Sequence, residues 1–511
     1  MRFATSSFLF VKFCFALLII IISVSIIIFF ETEETEEWLN GPNFYSNYCV
    51  WNDNIYVSRN GLYELKLCYK SIHNNFVPPA PTPMIEERKI RINGSSRRLS
   101  FEDLASIPDA EWLTDFDRSV YKLYPQSIPL RDTLQSLING EPISQPPIFN
   151  PRIRFLRIPT NVCSPLTPAQ TFFRLTDELS FPYVVIIYKS GVYNFKERRQ
   201  LRKLYHLSYT NINIRLIFSI GLPRTSQGNV FQRDGFNVTL AGRAGQKLLE
   251  HSHFPLRTKR MFAKEMYTNN DLLIGDYEDS YYNLTLKLFH TFQWAARFCR
   301  PYKPIFVFLD DDYAVNTNKL VKFIRNLTSE SRENLSYGYD MMVNPVFRYA
   351  STYPQWAFSK REIPWPMHTP ELLGIYSMWS YRHVHDMALA MHFTKPMVID
   401  DTWLAMVQYK LNLTFTRLKG MHFLAPSQFN RLDCSDIFFA PIIVVDNETR
   451  KLLHQSEIPK FLANHYLPTV VRQCTQPYQS LHRVILENRL ISQQYDSVDN
   501  CSLSHHLACP D

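Results

Sequence analysis

From Phe181 onward, short apolar runs rich in β-branched residues alternate with stretches of helical spacing. The runs "FPYVVIIYKS", "IRLIFSIG" and "PIFVFL" are apolar throughout, whereas a strand with one solvated face would alternate. "NFKERRQLRKLYHLSY" and "DLLIGDYEDSYYNLTLKLFHTFQWAARFC" lie between them and carry helical patterns. This order predicts an α/β fold, a mostly parallel sheet with helices on both faces.

The N-terminus contains an 18-residue stretch without charge, "FCFALLIIIISVSIIIFF", at 13–30. As a helix it would be about 27 Å long, enough to cross a bilayer. Arg2 and Lys12 precede it and "ETEETEE" follows, so residues 1–12 are expected in the cytosol and the rest in the lumen. A cleaved signal peptide is the alternative, but the apolar stretch is longer than a signal core and no small-residue cleavage pattern follows.

Composition agrees with a lumenal protein. Beyond the predicted anchor there are eight cysteines, an even number that permits complete disulfide pairing without specifying it: Cys49, Cys68, Cys163, Cys299, Cys434, Cys474, Cys501 and Cys509. The formal charge is +8, but the basic residues are scattered, so we expect no nucleic-acid partner. The oligomeric state is left open.

Proline punctuation divides the chain further. Segments such as "FVPPAPTP" interrupt every apolar pattern between the anchor and the first strand, which predicts an extended lumenal stem at 31–165. The α/β domain is expected at 166–430. Residues 431–511 form a cysteine-containing extension with no readable role.

Three aspartates, Asp310, Asp311 and Asp312, end the strand "FVFL". Ligands of open parallel sheets bind beyond the carboxyl ends of strands, and a hard divalent cation would relieve the repulsion between these carboxylates. Capping of the helix "NTNKLVKFIRNL" just downstream is the alternative reading. An EF-hand is excluded because Ala314 and Val315 stand where a ligand and a glycine are required.

"DLLIGDYEDSYYNLTLK" and "FVFLDDDYAVN" together closely resemble the β1,3-galactosyltransferase family, which includes β1,3-N-acetylglucosaminyltransferases and Fringe-like enzymes. "RRQLRKLY" is similar to the family's Arg-x-x-x-Arg helix, and the similarity extends over about residues 180–425. The resemblance implies a GT-A type, Rossmann-like domain behind a single Golgi membrane anchor. It also implies an inverting, metal-dependent transfer from a UDP-sugar to a glycan acceptor.

The resemblance assigns roles to particular residues. Asp310 and Asp312 would bind Mn²⁺ or Mg²⁺, with His422 as a further metal ligand or a core residue. The donor would be bound by Asp310, Asp311, Arg198, Arg202 and Asp276, although Asp276 and its neighbour Asp279 could instead cap a helix. Trp356 and Trp365 are the candidates for stacking on the acceptor sugar, or for packing in the core.

Asp401, in "VIDDTWLAMVQYKL", is the candidate catalytic base, because Asp400 and Asp401 match an acidic pair that opens a helix in this family. An N-terminal helix cap is the alternative. The acceptor-side segment lacks the family's usual cysteine, and Ala314 replaces an aromatic residue. These departures keep a second function open, a catalytically inactive, membrane-anchored glycan-binding or chaperone-like protein on the same scaffold.

Overall fold

The computed structural model describes residues 56–57, 63–71, 87–112, 116–125, 129–163, 183–205, 212–225, 228–240, 242–341, 345–349, 354–421 and 438–441. Its strands are β1 Tyr56–Val57, β2 Tyr63–Leu65, β3 Lys70–Ser71, β4 Arg88–Ile92, β5 Ser95–Leu99, β6 Pro142–Ile143, β7 Ile153–Arg157, β8 Tyr183–Lys189, β9 Asn213–Leu222, β10 Val230–Arg233, β11 Phe236–Thr239, β12 Leu272–Glu278, β13 Ile305–Asp310, β14 Tyr313–Val315, β15 Ser336–Met341, β16 Glu371–Trp379 and β17 Phe439–Pro441. The α-helices are α1 Leu130–Ile138, α2 Phe195–Leu204, α3 Gly242–His253, α4 Pro255–Thr268, α5 Leu284–Phe298, α6 Thr317–Arg325, α7 Ser329–Glu333, α8 Tyr381–His392 and α9 Asp400–Lys410. Short 3₁₀ segments occur at Asp103–Ser106, Asp109–Trp112, Arg118–Leu123, Tyr281–Asn283 and Pro354–Trp356.

One large sheet organises these elements, in the strand order β1-β2-β7-β12-β9-β8-β13-β16-β15. The four central strands, β12, β9, β8 and β13, run parallel. They coincide with the apolar runs of the sequence, and α2 and α5 follow where helical spacing predicts them. The α/β prediction is confirmed for this central part.

The sheet is mixed, which differs from the mostly parallel sheet expected from the sequence. The flanking strands β1, β2 and β7 on one side, and β16 and β15 on the other, all pair antiparallel with their neighbours. Antiparallel strands need no crossover helix between them. The alternation of strands and helices in the sequence therefore could not predict the flanking strands.

Side chains of the central strands are buried alternately on the two faces of the sheet. Val184 and Ile186 belong to a core cluster shared with Leu201 of α2 and Leu320 of α6. Their neighbours, such as Val185, join a second cluster with α5, α8 and α9. Burial on both faces explains why these strands are apolar throughout.

The described part of the predicted stem is packed into this fold. β7 pairs with β12 of the central sheet, and Phe155 is fully buried in the core cluster on the α5 face. A disulfide joins Cys163, just after this region, to Cys299 at the end of α5. In the described parts of this stretch, 63–71, 87–112, 116–125 and 129–163, the chain forms short strands and helices packed on the core, so these parts are not an extended stem; the proline-rich segment at 76–83 lies outside the described residues.

The predicted C-terminal boundary also shifts. β17, which lies beyond residue 430, pairs antiparallel with β14 directly after the three aspartates, and Phe439 is fully buried there. The predicted anchor at 13–30, the cytosolic tail at 1–12 and most of 431–511 lie outside the described residues. Within the described ranges, no helix is long and apolar enough to cross a membrane.

Candidate active site

The carboxyl ends of the four parallel strands meet at one edge of the sheet, and the acidic residues lie there. Asp310 is the last residue of β13, and Asp311 and Asp312 form the turn before β14. Helix α6 is capped by Asn316, whose side chain accepts a hydrogen bond from the backbone N–H of Lys319. The aspartates are therefore not the cap of α6, and the strand-end interpretation of this turn is the one that fits.

Two basic side chains offset the repulsion within the turn. Lys189, the last residue of β8, lies 3.3 Å from the Asp310 carboxylate and 2.7 Å from that of Asp400. Arg243, near the start of α3, lies 2.7 Å from Asp311 and 3.5 Å from Asp312. Neither cation is among the site residues predicted from the sequence. Lys189 occupies the strand-end position that identified the aspartates, whereas nothing local marks Arg243.

Asp311 is a buried structural residue in this arrangement. Its side chain is 2% exposed and accepts hydrogen bonds from Ser190 Oγ (2.6 Å) and Asn194 Nδ2 (2.8 Å) as well as from Arg243. Although burial opposes it, the Arg243 charge, aided by these hydrogen bonds, holds the pKa of Asp311 below its usual range. Both carboxylate oxygens already have protein partners, so the expected contact between Asp311 and the donor is not supported.

The two arginines expected to bind the donor are also held by protein groups. Arg198 is fully buried, and its five N–H groups donate to Glu265, Ser190 Oγ and the backbone carbonyls of Gly191 and Val192. It therefore has no free donor for a ligand. Its contacts instead hold the loop after β8, on which Ser190 supports Asp311.

Arg202 lies farther from the acidic turn. It donates to both carboxylate oxygens of Asp271, at 2.6 and 2.8 Å, and to Glu265 at 2.7 Å. Asp271 immediately precedes β12, at the amino-terminal edge of the parallel strands and opposite the edge that carries Asp310. A donor-binding role for Arg202 is therefore not supported by its position.

Asp279, which the sequence left between ligand binding and capping, holds three elements together. Its carboxylate accepts hydrogen bonds from the backbone N–H groups of Val192 (3.0 Å), in the loop after β8, and of Gly221 (2.9 Å), near the end of β9. It also pairs with Lys287 of α5 at 2.8 Å. Asp276, by contrast, is an exposed residue that faces Arg154 of β7 at 3.4 Å.

We expect Asp279→Asn to lower the free energy of unfolding by on the order of 3–5 kcal/mol, because Lys287 is 1% exposed and would keep a buried charge without its carboxylate partner. Urea denaturation measures the change. Adding Lys287→Met removes that charge, so the double variant should recover part of the lost stability. If the double variant loses as much as the two single changes added together, the two groups are not coupled.

Asp401 lies in the first turn of α9, beside Asp400 and Lys189. Its Oδ1 accepts from the backbone N–H of Thr402 at 2.8 Å, so it stabilises the helix start while its side chain remains partly exposed. Gly374 of β16 allows this close approach, since a Cβ there would lie 3.1 Å from the Asp401 carboxylate. Burial and the neighbouring Asp400 charge, opposed by Lys189, raise the pKa of Asp401 to about 6.

The two tryptophans differ in environment. Trp365 is 1% exposed and packs edge-on against Phe101, Tyr121 and Tyr124, so it is a core residue and cannot stack on an acceptor sugar. Trp356 is partly exposed, and its Nε1 donates to the Tyr281 hydroxyl at 2.6 Å. Only Trp356 keeps the exposure that an acceptor contact requires.

The resemblance implies a divalent cation. No group of three or more His, Cys, Asp or Glu side chains suited to hold a metal occurs among the described residues, and His422 lies outside them. Asp310 and Asp312 are 29% and 31% exposed and present the oxygen ligands that Mg²⁺ and Mn²⁺ prefer. Burial, with the charges of Asp312 and Asp400 working against Lys189, raises the pKa of Asp310 to about 8. A cation would relieve this excess of negative charge, so this pair fits a metal whose other ligands come from outside the protein.

Part of the chain is similar to a known protein family and to several known proteins. Residues 252–419, which contain Asp310, Asp312 and Asp401, match the family model described as Galactosyltransferase. The β1,3-galactosyltransferase brn of Drosophila melanogaster is 22% identical over 283 residues, covering 54% of this chain and 71% of that protein. The human lactosylceramide 1,3-N-acetyl-β-D-glucosaminyltransferase is 26% identical over 149 residues, 28% of this chain and 32% of that protein. The UDP-GalNAc:β-1,3-N-acetylgalactosaminyltransferase 1 of Sus scrofa is 30% identical over 133 residues, 26% of this chain and 39% of that protein.

The domain is that of a glycosyltransferase. Residues 252–419 are similar to the galactosyltransferase family, in agreement with the resemblance of the sequence motifs. The names of the three relatives differ in the sugar that is transferred. This chain covers only 32% of the human protein and 39% of the Sus scrofa protein. Donor and acceptor are therefore matters for proposal.

Proposed function

We propose that this protein transfers galactose or an N-acetylhexosamine from a UDP-sugar to a hydroxyl of a glycan acceptor on protein or lipid, in β1,3 linkage and with inversion. The observation that carries the proposal is Lys189, which bridges Asp310 and Asp400 at 3.3 and 2.7 Å. The bridge joins Asp310, the proposed cation ligand, to Asp400, the neighbour of the candidate base Asp401, which supports an in-line displacement at this edge of the sheet.

The residues divide the chemical work. Asp401 accepts the proton of the attacking acceptor hydroxyl, and its raised pKa lets it do so while remaining ionised near neutral pH. Asp310 and Asp312 would hold Mn²⁺ or Mg²⁺, which when bound stabilises the charge that develops on the leaving diphosphate. Lys189 holds the acidic pair in place, because its Nζ donates both to the Asp400 carboxylate at 2.7 Å and to the Gly374 carbonyl at 3.2 Å.

The fold would be of the GT-A type, placed in the Golgi as a single-pass type II membrane protein with its catalytic domain in the lumen. The apolar stretch at 13–30 and the basic residues before it support this topology. The disulfide between Cys163 and Cys299 is consistent with an oxidising compartment.

The second candidate is a glycan-binding protein without catalysis. It is favoured by the ion pairs of Lys189 and Arg243, which already give the acidic turn partners of its own. Such a protein would bind a sugar ligand and release no UDP.

A donor screen decides between the two. Purified full-length protein in detergent is offered UDP-galactose, UDP-GlcNAc and UDP-GalNAc with Mn²⁺, with β-linked galactosides and hexosaminides as acceptors. We expect transfer from at least one donor, a β-linked product by NMR, and a loss of rate of about 100-fold or more on chelation that Mn²⁺ restores. If the protein binds UDP but neither transfers a sugar nor releases UDP from any of the donors, the proposed enzyme activity is contradicted and the glycan-binding protein is favoured.

A further inference from the structure

A pocket with a cavity volume of about 50 Å³, open to solvent on one side, lies between the sheet and helices α5 and α9. Lys189, Gly374 and Asp401 line it and are partly exposed. Most of its other walls are apolar: Ile187, Leu288, Phe292, Phe308, Leu372 and Leu404. The pocket thus has an ionic side at the candidate base and an apolar side beneath it.

Gln408 is one of the polar side chains that line the pocket among these apolar residues. Its side chain is 2% exposed, lines the pocket, and has no hydrogen-bond partner for either amide atom among the described residues. Each buried polar group left unpaired costs on the order of 1–3 kcal/mol. The arrangement is therefore suited to a molecule that enters the pocket and pairs with the amide.

The position of Gln408 relates this amide to Asp401. The two residues are seven apart on α9, so they lie on the same face about two turns, or roughly 11 Å, from each other. Helical side chains point back toward the N-terminus, which brings the Gln408 amide toward the candidate base. A group bound by Gln408 would be close to the one that Asp401 contacts.

The chemistry of the walls selects the kind of group. The amide offers one donor and one acceptor side by side, and the apolar residues around it suit a methyl group but not a hydroxyl-rich sugar face. Two other polar side chains in the lining, Ser219 and Thr291, are already hydrogen-bonded to each other at 2.7 Å.

We propose that this pocket binds the 2-acetamido group of a hexosamine, with its amide paired to Gln408 and its methyl group against the apolar wall. The inference rests on the proposed function, because it places the acetamide next to the sugar hydroxyl that Asp401 contacts. An acceptor hexosamine meets this requirement directly. A donor hexosamine carries the same group, so the two sources must be separated by experiment.

Binding affinities of the full-length, Mn²⁺-loaded protein test the inference without turnover. Methyl 2-acetamido-2-deoxy-β-D-glucoside is compared with methyl β-D-glucoside for the acceptor, and UDP-GlcNAc with UDP-glucose for the donor, by calorimetry. We expect the acetamido compound to bind about tenfold more tightly in one of the two pairs, as one or two hydrogen bonds to unpaired groups would give. Equal affinities in both pairs, as for a pocket that holds only water, would overturn the inference.

Gln408→Leu keeps the size of the side chain and removes the amide, so it should reduce that preference to within about twofold. Ala405→Leu, which fills the pocket from the same helix, should do the same if the first variant folds poorly. Gln293→Leu is the matched control, because this glutamine is equally buried but donates to the Ala388 carbonyl and does not line the pocket. A preference that survives both pocket variants contradicts the proposal. Transfer without an acetamide preference removes the pocket inference alone, whereas a preference without transfer removes only the enzyme.

Discussion

Asp401→Asn is expected to lower kcat by about 10²- to 10⁴-fold, the contribution usual for a general base, while leaving the affinity for the UDP-sugar unchanged. The amide cannot take a proton from the acceptor hydroxyl. Its oxygen can still accept the hydrogen bond from the Thr402 N–H, so the start of α9 is preserved. Single-turnover kinetics and donor titration measure the two quantities separately. A variant that loses donor affinity and keeps kcat would place Asp401 in donor binding.

The pH dependence provides an independent check on the same residue. Burial and Asp400 raise the pKa of Asp401 to about 6, so its ionised, proton-accepting form is lost as the pH falls through that value. We expect kcat/KM of the wild type to decrease about tenfold per pH unit below pH 6. The residual activity of Asp401→Asn should lack this acidic limb.

Asp400→Asn serves as the control for the assignment. Removing the neighbouring negative charge takes away one of the two causes that raise the pKa of Asp401 and leaves Lys189 to lower it. The acidic limb should therefore move to lower pH. A limb that stays in place would mean that another group titrates.

The predictable part of the fold is the part buried on both faces. The side chains from Val184 to Tyr188 point alternately into two hydrophobic cores. Every position must therefore be apolar, and a continuous apolar run of this kind indicates a strand that is buried on both faces. β7 and β16 at the flanks carry no such run, and their pairing depends on neighbours distant in the chain. Proline near β7 was interpreted as a stem because a strand end and an extended linker have similar local sequences.

The site divides in the same way. Asp310 and Asp312 were predictable because the end of a buried strand can be recognised in the sequence, and the carboxyl end of a parallel strand is where ligands bind in this kind of sheet. Arg243 approaches this turn from a helix that is distant in the sequence, so no sequence spacing predicts the contact. Arg198 shows the opposite error, since a cation on the helix after the first strand was expected at the ligand and is instead fully buried against Glu265.

Exposure also separates the predicted aromatic ligands. Trp365 and Trp356 look alike in the sequence, yet one closes the core against Phe101 and the other remains at the surface. Periodicity could not distinguish them, because the described residues between β15 and β16, 345–349 and 354–370, contain a single short 3₁₀ segment and so set no period.

Asp312→Asn is expected to remove Mn²⁺-dependent UDP binding and lower kcat by about 10²- to 10³-fold without unfolding the protein. Asp312 is 31% exposed, and its ion pair with Arg243 is long, at 3.5 Å, so the fold depends on it little. In the wild type, UDP with Mn²⁺ at 100 times its Kd should stabilise the protein by about 2.7 kcal/mol. Thermal unfolding with and without UDP and Mn²⁺ measures this gain, which the variant should lose.

Asp311→Asn, one residue away, is the matched control and should do the reverse. Asp311 is buried and accepts hydrogen bonds from Ser190, Asn194 and Arg243, so the same change leaves buried donors poorly paired and lowers the free energy of unfolding by on the order of 1–3 kcal/mol. The two variants would then have different effects: Asp312→Asn would lose metal and nucleotide binding, and Asp311→Asn would lose stability. If Asp312→Asn keeps its stabilisation by UDP and Mn²⁺, the exposed carboxylates of this turn do not bind the cation, and the paired lysine and arginine must supply the positive charge instead.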